Sequence, residues 1–455
     1  MRRLLRAAGA GTVAALTVTL LTTPSAQADR HPPRLPIVFV HGNSGSAQQF
    51  ETQFQRFAAN GYPQELLFAY EYDTSVPDNT AAVAGLTPFV DDVLARTGAR
   101  QVLLAAHSRG TAVSHAYLAE HAEDVAKYVN LDGRGAASPP GGVPTLAEWG
   151  EWQSPPDPVR GVVGVIGGAE NVYNRQLGHT ETASSAKTFA DMYRFWFGRA
   201  PRTTAVLPSR HVSVSGRVVL FPANTGYAGA TLDVWQLTPA GHRRRHVATY
   251  AIDATGDFGP LPVRRHTSYE FAVTREDGSV HHFYQPPFVR DDHFLRLNTG
   301  RPGQGLEVYT KQDPRHVNLT VVRSREMWGD QPDSDVLTVG GRNVLTPLVA
   351  PRSSPGGAGG NTGEVNALFL TDVGARTATG YADPDQRTDL GKGQLFPFDN
   401  LTFLSAADVF VRARRGGKGT VVLVMDPRGG GDRDAVAVPD WPSTGHRVTV
   451  AFPDH

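Results

Sequence analysis

Apolar positions in the first two hundred residues keep two rhythms in turn. Short, largely apolar runs occur at Pro36-Ile37-Val38-Phe39-Val40, Leu66-Leu67-Phe68-Ala69-Tyr70, Val102-Leu103-Leu104-Ala105-Ala106, Val125 to Leu131 and Val162 to Ile166. Between them, apolar residues recur at helical spacing: Phe50, Phe54 and Phe57; Val83, Leu86, Val90, Val93 and Leu94; and Phe189, Met192, Tyr193 and Trp196. Asn60-Gly61 and Gly98 stand where two of these helices should stop, and Thr111 to Glu123 reads as a further helix. Strands covered on both faces appear as continuous apolar runs, and helices alternating with them supply crossovers. The pattern therefore predicts a mostly parallel sheet between two helical layers.

From about Arg199 the helical rhythm fades and short strand-like runs recur between turn clusters. They are expected at Arg217 to Phe221, Thr231 to Leu237, Ser268 to Thr274, Val280 to Tyr284, Leu306 to Tyr309, Val317 to Val322, Ala367 to Leu370, Asp408 to Arg412, Thr420 to Met425 and Arg447 to Phe452. Tyr269, Phe271 and Val273 alternate with polar neighbours, as a half-buried antiparallel strand requires. The predicted fold class is thus α/β plus all-β: an N-terminal α/β domain with a mostly parallel sheet, then antiparallel β-sandwich or barrel modules. The expected divisions are a leader over 1–28, the α/β domain over 29–199, a small β module over 200–290 and a larger one over 291–455.

The leader is read from its own pattern. Arg2, Arg3 and Arg6 precede an uncharged apolar stretch from Ala7 to Leu21, and Ala26-Gln27-Ala28 is a small-residue cleavage site, so an exported mature chain is expected to begin near Asp29. With 455 residues the chain is too long for one core, and its 44 Lys+Arg against 44 Asp+Glu leave no global field to attract nucleic acid or an anionic membrane. It has 0 Cys, which excludes disulfides and thiolate catalysis.

The strand ending at Ala106 runs into His107-Ser108-Arg109-Gly110 and at once into a helix. In such a strand–turn–helix elbow the serine sits on a strained turn, so the positions two before and two after it must be small. Ala106 and Gly110 are. The elbow exposes the Ser108 hydroxyl and sets the Arg109 N–H at a helix start, where an oxyanion is favoured. His41-Gly42-Asn43 follows the first strand, and the Asn43 N–H is the second candidate oxyanion donor. Asp132, after the strand next along the chain, would orient an imidazole; Glu170, after Gly167-Gly168, is the rival acid, with Asp132 favoured. His179, in a polar loop ahead of the last helix, completes the order serine, acid, histidine.

Other features are weaker. The Pro/Gly-rich segment Gly135 to Arg160 is read as a loop whose Trp149 and Trp152 form a candidate rim or lid. Asp383, Asp385 and Asp389 are read as a solvated turn rather than a calcium site, and Arg243-Arg244-Arg245-His246 as a solvated strand end.

With these motifs in hand, residues Pro36 to Gly198 resemble the short-core α/β-hydrolase lipases of secreted bacterial and archaeal type, in the His41-Gly42-Asn43 loop and the Ala106-His107-Ser108-Arg109-Gly110 elbow. An early acid at Leu131-Asp132-Gly133, the Gly178-His179 setting and a C-terminal β region are similar to an archaeal lipase. The resemblance implies hydrolysis of acylglycerol-like esters through an acyl-enzyme, with Ser108, Asp132 and His179 as triad, no metal or cofactor, and a β half that helps engage lipid. No partner protein is implied. An acyltransferase or amidase using the same triad stays open, as does an extracellular binding protein with a vestigial hydrolase half.

Overall fold

The computed structural model describes residues 34–151, 164–352, 364–373, 390–431 and 433–454. The leader, Trp152 and the Asp383, Asp385, Asp389 group lie outside these residues. In chain order the first half consists of β1 (Ile37–Val40), α1 (Glu51–Ala59), β2 (Leu67–Tyr70), α2 (Thr80–Thr97), β3 (Val102–His107), α3 (Arg109–Glu120), β4 (Val125–Leu131), β5 (Thr145–Gly150), β6 (Glu170–Asn174), α4 (Glu181–Ser184) and α5 (Ala186–Phe197). The six strands form one parallel sheet in the order β2-β1-β3-β4-β5-β6.

Because alternate side chains leave a strand on opposite faces, the two layers are built from alternate residues of the same strands. Ile37 and Phe39 pack with the phenylalanines of α1 and with Phe189, Met192 and Trp196 of α5. Val38 and Val40 pack on the other face with Leu86, Val90 and Val93 of α2 and Val113 and Tyr117 of α3. Gly98 and Gly198 end α2 and α5 at φ 67° in each case, a left-handed stop that glycine takes without a Cβ clash. Strand order reverses between β1 and β3, so the loops leaving their carboxyl ends part there and open a crevice.

Two expectations fail in this half. The segment read as loop contains β5, and the run expected as a strand at Val162 to Ile166 contributes only an isolated bridge from Ile166 to Ala136 among its described residues. The loop reading followed the prolines and glycines of the segment, which cluster at Pro139-Pro140-Gly141-Gly142 ahead of β5, and Glu148, which interrupts the apolar run of that strand, is nevertheless buried with its neighbours. Burial pushes its carboxyl up to about 8, so near neutral pH it sits there as the uncharged acid. Trp149 is therefore no rim or lid residue: it is fully buried on β5, its indole N–H bonded to Asn171 Oδ1 at 2.9 Å.

The second half is mostly antiparallel. An eight-stranded sheet runs, in spatial order, through Arg243–Ala251, Thr231–Leu237, Tyr269–Thr274, Val280–Tyr284, His446–Phe452, Leu319–Arg323, Val365–Thr371 and Phe403–Asp408. It joins strands from both sides of residue 291, since Val280–Tyr284 pairs in parallel with His446–Phe452. Two four-stranded sheets pack with it, one around Val212–Leu220 and one around Thr420–Asp426. Leu306 to Tyr309, expected as a strand, lies in a 3-10 turn at Gly305–Tyr309, and the strand expected at Asp408 to Arg412 ends where it was to begin, at Phe403–Asp408. The run Arg243-Arg244-Arg245-His246 is the exposed start of its strand, as expected, and the Arg243 guanidinium also holds Glu270 with two hydrogen bonds, 2.7 and 2.8 Å.

The β sheets are joined to the α/β sheet by buried contacts. The rings of Phe54 and Phe294 stack at 3.7 Å, Gln55 bonds Asp292 at 3.0 Å, and Arg56, 2% exposed, donates to the carbonyls of Ser184, Thr204 and Asp454. Glu71 is held by Arg296 and Arg217 and accepts the N–H of Ala47. Residues Leu35–His455 accordingly form one compact unit.

Candidate active site

Ser108 sits at the tip of the turn from β3 to α3 with φ 52° and ψ −123°, a conformation that costs a non-glycine residue about 1–3 kcal/mol. Surrounding structure enforces it. The Ser108 N–H donates to Leu131 O at 3.0 Å, and the Thr111 hydroxyl donates back to Ser108 O at 2.6 Å. A Cβ at Gly110 would lie 2.5 Å from His41 O and 2.6 Å from Val40 O, so only glycine lets α3 start so close to β1. Gly42 is needed for the converse reason: its Cβ would come within 3.0 Å of Ser108 Cβ. Strain gathers along this edge, for Ser44 and Asp132 also have positive φ, 50° and 42°.

Asp132 and His179 meet Ser108 in one line. The fully buried Asp132 carboxylate accepts the Gly150 N–H through Oδ1 at 2.8 Å and faces His179 Nδ1 through Oδ2 at 2.7 Å. His179 Nε2 lies 2.9 Å from Ser108 Oγ. Glu170 does not share in this: it is an exposed residue at the start of β6, and the carboxylate on the His179 ring is that of Asp132.

Arg109 and Asn43 are also joined, though by side chains. Arg109 Nη1 donates to Asn43 Oδ1 at 3.0 Å, while its Nε and Nη2 bind Asn79 Oδ1 and the carbonyls of Val76 and Asp78. The guanidinium thereby ties the loop after β1 to the loop before α2. The Arg109 N–H is the first of α3, where an α-helix has no internal acceptor to offer.

Several neighbours were not legible beforehand. His107 lies beneath His179: Gln49 Nε2 donates to its Nδ1 at 2.8 Å, so its Nε2–H donates to the His179 carbonyl at 3.0 Å. Burial and the His179 charge hold His107 well below its ordinary pKa, which keeps that tautomer neutral. Phe403, at φ 66°, stacks on the His179 ring at 6.1 Å between centroids. Glu326 and Glu364, from the β half, act on the histidine through their charge. Burial favours neutral His179, but the hydrogen bond to Asp132 and the negative charges of Glu364, Asp132 and Glu326 outweigh it and raise the pKa to about 9. No sequence motif marks these carboxylates.

A cavity of about 410 Å³ opens from Ser108, Asn43 and His107 into the β half. Its walls there include Phe221, Phe283, Leu295, Leu297, Phe369 and Phe403, and apolar surface dominates them. Such a volume suits a small organic ligand or a single chain.

Comparison with known proteins finds three family matches along the chain. The lipase (class 2) family matches residues 34–128, the lipase C-terminal domain matches 210–302, and a further C-terminal domain family matches 305–455. The chain has a lipase-like domain architecture. It resembles members of the α/β-hydrolase lipase and esterase superfamily, and the matches support hydrolase activity in general. Among solved structures, the lin2722 gene product of Listeria innocua is 14% identical over 38% of this chain and 97% of its own, with a TM-score of 0.30. A predicted CIB-like hydrolase from Thermoplasma acidophilum is 16% identical over 35% of this chain and 83% of its own, at TM-score 0.26. The propeptide form of the Bacillus licheniformis lipase BlEst2 is 11% identical and covers 90% of this chain and 94% of its own, at TM-score 0.29.

Proposed function

We propose that this chain is an exported serine carboxylic-ester hydrolase acting on acylglycerol-like esters. The observation that carries the reading is the line from Asp132 through His179 to Ser108, with spacings of 2.7 and 2.9 Å. In it Asp132 fixes the tautomer with hydrogen on Nδ1, leaving Nε2 free to take the Ser108 proton as Oγ attacks the ester carbonyl. The imidazolium then protonates the departing alcohol, and water, activated by the same histidine, releases the acid. The Asn43 and Arg109 N–H groups are assigned to the oxyanion, where loss of one donor typically costs about 3 kcal/mol. An acyl chain fits the apolar cavity better than a charged or peptidic group, which favours fatty acyl substrates over peptides. Export rests on the Arg2-Arg3-Arg6 cluster, the apolar stretch and Ala26-Gln27-Ala28.

The test is turnover of p-nitrophenyl esters of increasing chain length by the wild type and Ser108→Ala. The wild type should be active on chains of several carbons, and the variant should fall by about 10⁶-fold, to background. Equal inertness of both proteins would favour a binding role, and preferential transfer of the acyl group to an added alcohol or amine would favour a transferase.

A further inference from the structure

Glu326 comes from the β half, just beyond the strand Leu319–Arg323, and is fully buried. Its Oε1 accepts the Thr180 N–H at 2.5 Å and its Oε2 the Glu181 N–H at 3.1 Å. On the other side of His179, a Cβ at Gly178 would collide with the same carboxylate, so the chain leaves room for it there. One side chain thus brackets the histidine, touching the residues before and after it.

Glu326 is itself held rigidly. Its backbone carbonyl accepts from Arg428, whose guanidinium also binds Asp335 at 2.8 Å and Glu181 at 2.5 Å. Asn366, on the neighbouring strand, donates to the Thr180 hydroxyl at 2.9 Å. From the α/β half, His107 reaches the His179 carbonyl, and the Thr182 N–H and hydroxyl both return to Gly178 O, which leaves the Thr180 and Glu181 amides to the β half.

We propose that Glu326 is a positioning residue for His179: by holding the Thr180 and Glu181 amides it aligns the imidazole with Ser108, so that hydrolysis of soluble esters as well as lipids depends on the C-terminal half. This rests on the reading of Ser108, His179 and Asp132 as an ester-hydrolysing triad. A displacement of about 1 Å at a catalytic group can cost about 10²-fold in rate. Glu326 does not line the cavity, so the loss should fall on kcat and leave KM alone.

The experiment uses the full-length wild type, Glu326→Gln and Glu326→Ala with p-nitrophenyl butyrate on the alkaline plateau of each protein's pH profile, where His179 is neutral and loss of the Glu326 charge no longer changes the fraction of free base. Rates are expressed per Ser108 titrated to completion with a fluorophosphonate. The glutamine keeps the shape but turns an NH2 toward one of the two amides, so kcat should fall about tenfold. In the alanine variant it should fall about a hundredfold, each with KM within twofold of wild type. If kcat per titrated serine is unchanged in both, or if KM rises while kcat holds, Glu326 has only a structural role and the inference is wrong while the hydrolase stands. Should the alanine variant fail to fold, the glutamine variant decides by the same criterion. If the wild type neither turns over esters nor labels at Ser108, the hydrolase reading falls and this inference falls with it.

Discussion

Replacing Asp132 by Asn tests the site with little disturbance to the fold. Asn Oδ1 can still accept the Gly150 N–H now held at 2.8 Å, so the buried turn keeps its anchor. The amide NH2 then faces His179 Nδ1 across the present 2.7 Å and can only donate to it. This forces the tautomer with hydrogen on Nε2, which points at Ser108 Oγ as a donor and can no longer take its proton. A wrong tautomer in a triad of this geometry lowers kcat by about 10⁴-fold, and at about 1.4 kcal/mol per decade that is about 5.5 kcal/mol of lost transition-state stabilisation. The assay is kcat on p-nitrophenyl butyrate for Asp132→Asn, with Glu170→Gln as the companion and thermal unfolding to check that both remain folded. Glu170→Gln should retain activity within twofold, because Glu170 is exposed at the head of β6. Retention by Asp132→Asn of more than a tenth of wild-type kcat, or a larger loss in Glu170→Gln, would refute the assignment of the acid.

With the pKa of His179 raised to about 9, the base is protonated at neutral pH, so kcat/KM on a soluble ester should climb about tenfold per unit from pH 7 and level off near pH 9. A profile flat from pH 6 to 9 would contradict this. The same shift has a stability sign: His179 contributes most below its ordinary pKa of about 6.5 and loses that contribution as pH rises through about 9, so thermal midpoints should decline over the window in which activity grows. Glu364, whose carboxyl is raised to about 8 by burial, with His179 opposing and Glu326, Asp132 and Glu151 adding to the rise, is one source of the His179 shift. Glu364→Gln should move the rising limb of activity to lower pH, and an unmoved limb would remove it from that role. Gly110→Ala should destabilise by about 1–3 kcal/mol in a denaturant titration, since the new methyl meets the carbonyls of Val40 and His41, and an unchanged midpoint would show that α3 can retreat.

Much of the site was legible because its parts are local. The size rule at Ala106 and Gly110, the loop at His41-Gly42-Asn43 and Asp132 at a strand end depend only on residues close in sequence, and the strand–helix alternation places them on one edge. The β half was readable as strands, with Thr231–Leu237 and Val280–Tyr284 found at their expected bounds, because period-two patterning is also local. What failed was the stretch after Asp132: its prolines and glycines cluster ahead of β5, and β5 carries a glutamate whose burial depends on strands on either side of it, a residue that periodicity assigns to the surface.

Chain order alone was enough for the two kinds of fold and for the candidate serine, acid and histidine, since each is written in a few neighbouring residues. Which carboxylate faces the imidazole was decided by the packing of the parallel sheet, which brings together Asp132 and His179 from 47 positions apart. What surrounds that imidazole and where the apolar cavity leads were decided by contacts between residues still more distant in sequence, such as Glu326 with Thr180 and Phe403 with His179. Burial and electrostatics act through space, and a sequence states nothing about distance until the sheets have packed.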